Sequence, residues 1–136
     1  MDFTDDRYCF ACGPDNPAGL KLKFNHDKDS LTCSFTPLKI HQGFKDVVHG
    51  GIISTLLDEA MAYLCIGKGY YGVTGKLEVK FKKPALVGDN LKAYAAITEE
   101  KGKLVFGKAR IENSKGEIVA EGTSTFIKVS ESAKRG

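Results

Sequence analysis

The sequence predicts an α+β fold in which a long antiparallel sheet wraps around one central helix. The stretch from Val47 to Gly67 reads VVHGGIISTLLDEAMAYLCIG and holds one run of good helix formers, Ile52 to Ile66, apolar on nearly every side. A helix of that kind is buried on most of its faces. Segments of alternating apolar and polar residues flank the run, two before it and four after it, as half-buried strands do. The later segments are joined by short turns with hairpin chemistry, which places neighbouring strands antiparallel around the helix.

Taken in order, residues 1–7 read as a loose terminus, and CFACGPDNPAG from Cys9 to Gly19 is dense in turn formers and reads as a loop. Leu20, Leu22 and Phe24 alternate with Lys21 and Lys23, which predicts a strand with one buried face. Residues 25–30 read as a polar turn, and Leu31, Cys33 and Phe35 supply the hairpin partner. The segment 36–46, with Pro37, His41, Gln42, Gly43 and Phe44, is irregular and leads into the helix. The glycine-rich stretch from Gly67 to Gly72 reads as a helix stop and a loop. Leu77, Val79 and Phe81 then alternate with Glu78, Lys80 and Lys82 until Pro84 ends the strand. Leu91, Ala93, Ala95 and Ile97 mark the next. Turns at 99–102 and 113–116 lead to strands over 103–112 and 118–129, followed by a polar tail. The expectation is one domain over 1–136, with 1–7 and 130–136 as flexible ends.

The 136 residues suffice for one domain with a real core. A hydrophobic content of 42% and a charged content of 27% are ordinary for a soluble protein. A net charge of +3 is too small to point to nucleic acid, although it suits a polyanionic small molecule. No apolar run follows Met1, and a helix over 52–66 is short for a bilayer and carries Asp58 and Glu59. The expectation is therefore a cytoplasmic protein with no membrane association. Cys9, Cys12, Cys33 and Cys65 then read as reduced thiols. Zinc usually takes four ligands in recognisable pairs, and Cys9-x-x-Cys12 is one pair. Cys33, His26 or His41 could complete a set in space, yet no spacing asks for it. A packed loop without metal is the expectation.

The chemistry concentrates at the helix. An unpaired carboxylate inside an apolar run is costly, which draws attention to Asp58 and Glu59. His49-Gly50-Gly51 places two glycines at the helix start, where free N–H groups and the positive end of the helix dipole can hold an oxygen bearing negative charge. A donor there and a carboxylate two turns on suggest acyl chemistry. Alone, Asp58 reads more readily as a structural carboxylate bonded to Ser54 or a lysine; beside His49-Gly50-Gly51 the catalytic reading gains. Glu59, about a quarter-turn away, reads as a structural or interface acid.

His49-Gly50-Gly51 followed by Thr55-Leu56-Leu57-Asp58-Glu59-Ala60 resembles the signature of hotdog-fold acyl-CoA thioesterases, in the branch that includes the phenylacetate-pathway thioesterases. Cys9-x-x-Cys12-Gly13, Asn16-Pro17-x-Gly19-Leu20, Phe81-x-x-Pro84 and Gly88-Asp89 recur in the same group, so the resemblance covers about residues 8–129. It implies a hotdog fold and hydrolysis of an acyl-CoA to free acid and CoA. It also implies no cofactor beyond the CoA of the substrate, and a homodimer with shared sites, often paired into a tetramer. The Gly51 N–H is then implied to polarise the thioester carbonyl, with Asp58 reaching across a dimer interface as general base or nucleophile. His49 is implied to buttress the turn, Thr74 to position water, and Gln42 to stand near where relatives carry Asn or Gln. Gly50, Lys82 and Lys83 are the candidates for contacting CoA. Tyr63, Tyr70 and Tyr71 read either as an aromatic acyl pocket or as core. A non-catalytic acyl-CoA-binding module, a hotdog enoyl-CoA hydratase or dehydratase, and a metal-binding protein built on Cys9 and Cys12 remain as alternatives.

Overall fold

The computed structural model describes residues 3–130; residues 1–2 and 131–136, which hold most of the expected flexible ends, lie outside it. Strands β1 (Phe24–Asp27) and β2 (Ser30–Phe35) precede the helix α1 (Gly50–Gly67). Strands β3 (Tyr71–Phe81), β4 (Leu91–Lys101), β5 (Leu104–Glu112) and β6 (Ile118–Ser130) follow it. All pairings are antiparallel, and the six strands lie in the order β1-β2-β4-β5-β6-β3. One helix against one antiparallel sheet is the hotdog arrangement the sequence implies.

The sheet has one apolar face, and α1 occupies it. Leu31 of β2, Ala95 of β4, Ala109 of β5 and Gly122 of β6 stand in register across it, and Leu56, Leu57, Ala60, Met61 and Leu64 close over that face with at most 1% exposure. The helical 3.6-residue period and the strand period of two thus converge on one core. Each such leucine contributes about 1.5–3 kcal/mol by leaving water. Glycine sets how closely the layers approach: a Cβ at Gly122 would lie 3.4 Å from the Leu57 side chain, and one at Gly107 the same distance from Met61.

Three elements differ in their bounds from the sequence expectation. β1 begins only at Phe24, because Lys21 takes a left-handed φ of 53° that breaks an extended run. Leu20 and Leu22 remain buried, and their N–H groups donate to the carbonyls of Phe10 and Ala11 at 2.9 Å. The strand then continues through the predicted polar turn to Asp27, leaving a tight turn with Lys28 at φ 45°. β3 begins at Tyr71, inside the predicted loop, because β6 extends far enough to pair with it. The helix spans 18 residues rather than 15, which gives it the length and apolar content of a membrane span. Its buried residues are Ile53, Leu56, Leu57, Ala60, Met61, Leu64 and Cys65.

Candidate active site

His49 is the N-cap of α1, with extended backbone angles, and its own N–H is fixed by the His41 carbonyl at 2.9 Å. Its ring folds back over the first turn so that Nδ1 accepts the Gly51 N–H at 2.8 Å. That satisfies one of the otherwise unpartnered donors of a helix start. The approach is close: a Cβ at position 51 would lie 3.0 Å from Nδ1, so the ring would have to give way by a few tenths of an ångström. The Gly51 N–H, implied from the sequence as the donor to a thioester carbonyl, is therefore engaged by His49 here. Gly50 lies under the ring of Phe81, 3.4 Å from where its Cβ would be. Ser54 and Thr55 donate back to the carbonyls of Gly50 and Gly51 at 2.9 and 2.8 Å. Ser54 is thus not the partner of Asp58.

The partner of Asp58 is Thr74. The hydroxyl of Thr74, on β3, donates to Asp58 Oδ1 at 2.8 Å. Asp58 is half-buried; burial raises its carboxyl above the ordinary value, and the Thr74 hydroxyl lowers it in part. A β-bulge makes the contact possible. The β3–β6 register shifts between Thr74, opposite Phe126, and Lys76, opposite Thr125. Without the extra residue Gly75, Thr74 and Leu77 would fall on opposite faces; with it, both point toward α1.

The other candidates make contacts of their own, Gln42 beside the helix start, where it bridges Val48. Gln42 Oε1 accepts the Asp46 N–H at 3.1 Å, bracing a turn in which Asp46 takes a φ of 63°. Lys82 pairs with Glu121 at 3.3 Å and Lys83 with Glu117, so the two lysines among the CoA candidates each hold an ion pair. Tyr63 stacks on Phe24 with ring centroids 4.5 Å apart, and Tyr70 is buried with its hydroxyl on Glu100 at 2.8 Å. Within the chain, Tyr63 thus packs on β1 and Tyr70 is held by β4. His41 is buried, accepts the Leu38 N–H at 2.9 Å and has its pKa lowered by burial. A concavity of about 840 Å³ lies on the face of the sheet opposite α1, between Tyr94, Arg110 and Glu121, away from Asp58 and Gly51.

The thioesterase superfamily model matches residues 45–120, which takes in α1, β3 and the strands up to the start of β6. The chain belongs to this superfamily. Among the relatives of this thioesterase-superfamily chain, mouse acyl-coenzyme A thioesterase 13 is 27% identical over 100 residues, covering 71% of each chain. The fold is similar to that of the Escherichia coli PaaI protein from the phenylacetic acid degradation operon. The TM-score is 0.79 at 22% identity, over 85% of this chain and 84% of that one. It is also similar to a hypothetical thioesterase protein from Streptococcus pneumoniae solved with coenzyme A, with a TM-score of 0.78 at 18% identity over 83% and 88% of the two chains. Structures under that same description carry alanine in place of an aspartate and of a threonine sixteen positions apart.

Two features of this superfamily member escaped the sequence. The Phe81 ring over Gly50 had a signal in the Phe81-x-x-Pro84 motif, but the motif does not say what the ring touches. Glu59 accepts from the Cys9 thiol at 3.1 Å, across fifty residues of chain. A loop and a helix that far apart in sequence are brought together only by the fold.

Proposed function

We propose that the chain hydrolyses acyl-CoA thioesters, with Asp58 as general base toward water or as nucleophile on the carbonyl. The observation that carries this reading is the half-buried Asp58 carboxylate, raised by burial and held by the Thr74 hydroxyl at 2.8 Å, on a helix that starts with the Gly51 N–H. In the general-base route Asp58 takes a proton from water as the oxygen attacks the carbonyl carbon. The Gly51 N–H receives the developing oxyanion, and the CoA thiolate leaves and is then protonated. The incoming carbonyl oxygen takes the place of His49 Nδ1, whose ring swings off the helix start.

Geometry favours a site shared between two copies. Gly51 and Asp58 lie on one face of α1, seven residues and about 10 Å of helical rise apart. One carbonyl cannot meet both within a single chain. Among the described residues, the outer edge of β3 pairs with no other strand, and Ile40 and Phe44, in the loop before α1, are 80% and 88% exposed. A second copy pairing along β3 would cover that edge and bring its own helix start toward Asp58. Two relatives support the substrate class: one is named an acyl-CoA thioesterase and another was solved with coenzyme A. The alanine substitutions in the Streptococcus pneumoniae protein have the same spacing as Asp58 and Thr74.

The test is free-thiol release from a panel of short, long and aromatic acyl-CoAs, with wild type beside Asp58→Asn. Turnover that falls by about 10²–10⁴ in the variant, with KM preserved, supports the reading. A folded wild type that binds CoA esters and releases no thiol would replace it with a binding module.

A further inference from the structure

Cys9, Cys12 and Glu59 stand together beside the middle of α1. The two sulfurs and a Glu59 carboxylate oxygen lie within 4.8 Å of one another, and all three residues are half-buried. Cys9 Sγ donates to Glu59 Oε2 at 3.1 Å and accepts the Cys12 N–H at 3.5 Å. The loop that carries the cysteines is a built turn. The Gly13 N–H donates to the Cys9 carbonyl at 2.8 Å, and a Cβ at Gly13 would lie 2.4 Å from Cys9 N and 2.6 Å from the Arg7 carbonyl. Only glycine fits a loop folded that tightly around Cys9. Arg7 pairs with Asp15 at 2.9 Å, and Leu20 and Leu22 are bonded to the backbone of Phe10 and Ala11. Both thiols are thus fixed on one side and the carboxylate on the other.

We propose that Cys9, Cys12 and Glu59 bind a zinc ion, with water as the fourth ligand. The donor set selects the metal: a Cys-x-x-Cys pair offers two soft sulfurs, and a carboxylate oxygen completes a face of a tetrahedron. Calcium and magnesium prefer oxygen ligands throughout. On binding, each thiol loses its proton to solvent and the sulfur becomes a thiolate ligand. Two protons are released per zinc, and the affinity falls as the pH drops. Sequence spacing alone offers one cysteine pair, and the third ligand comes from the residue after Asp58. The ion would fasten the N-terminal loop to the helix that carries the candidate base. This site stands independently of the thioesterase reading.

The experiment measures metal on the full chain under reducing conditions. Protein is incubated with Zn²⁺, freed of excess by buffer exchange and analysed for bound zinc; a parallel sample receives Co²⁺. The expected result is close to one zinc per chain, with a cobalt spectrum showing thiolate-to-metal charge transfer and tetrahedral ligand-field bands. Cys9→Ser and Cys12→Ser abolish both, and Glu59→Gln weakens binding by roughly tenfold or more. Cys33→Ala, which alters a buried thiol elsewhere, leaves the stoichiometry unchanged. Glu59→Gln keeps the side-chain shape, so its loss of affinity reports the ligand even if a serine variant fails to fold. Wild type that retains no zinc overturns the proposal, as does a cobalt complex without thiolate charge transfer. A Cys9–Cys12 disulfide persisting under reducing conditions would overturn it as well.

Discussion

His49 Nδ1 sits 2.8 Å from the Gly51 nitrogen, so the helix start carries an acceptor supplied by its own N-cap residue. The acceptor must be an unprotonated ring nitrogen.

Gly51→Ala tests that placement. The new Cβ would meet Nδ1 at 3.0 Å and push the His49 ring aside. Alanine is the better helix former by about 1 kcal/mol, so the melting temperature should hold or rise. We expect kcat to fall by about tenfold to a hundredfold, as small misplacements at reacting centres do. Thermal melts and thiol-release kinetics on one preparation check both halves, and an unchanged kcat would detach the ring from the reaction.

Thr74→Val removes the hydroxyl and keeps the side-chain shape. The Thr74 hydrogen bond lowers a carboxyl that burial has raised, so its loss moves the Asp58 pKa further up. More of the base is then protonated at a given acidic pH. The acid limb of the kcat/KM profile should shift to higher pH than in wild type. A lower rate with an unmoved limb would assign Thr74 to positioning water instead.

Asp58→Asn should stabilise the fold as it removes activity. The folded pKa lies above the ordinary 3.8, so the native chain binds more protons than the unfolded chain between the two values. The contribution of Asp58 is then fully present below 3.8 and is lost as pH rises through the raised value. The asparagine lacks that loss while its amide oxygen still accepts from Thr74. Urea denaturation across a pH series should show the variant more stable near neutrality, with the two curves meeting toward pH 3.8. A difference independent of pH would point to packing rather than charge.

Leu56→Ala probes the seam between helix and sheet. Leu56 is fully buried, and truncating such a leucine costs about 2–5 kcal/mol. For a chain of this size the melting temperature should drop by roughly 10 °C. Denaturant titration should show a lower midpoint with an unchanged slope.

The sequence reveals the helix and the strands that alternate cleanly, because burial on one face leaves a period that can be read directly. It misplaces boundaries where single backbone angles decide, as at Lys21 and Lys28. Asp58 stands out as a charge in an apolar run, and Thr74 was identified only through the family resemblance. Their contact depends on the extra residue Gly75 in β3, and an irregularity of pairing leaves no mark in hydrophobic period. The Lys82 and Lys83 ion pairs join strands β3 and β6 or their flanks, which one chain segment cannot announce.

β3 leaves α1 by a short turn, yet among the described residues its only strand partner is β6, the last to be made. During synthesis from the N-terminus, some forty residues must follow Phe81 before it can meet Ala120, and some sixty must follow Tyr71 before it can meet Ser130. The bulge that turns Thr74 toward Asp58 is defined only by that late pairing. A nascent chain that stops short of residue 118 has no β6 to set the register of β3. The threonine contact is thereby tied to completion of the sheet, and chains cut off early are born without it.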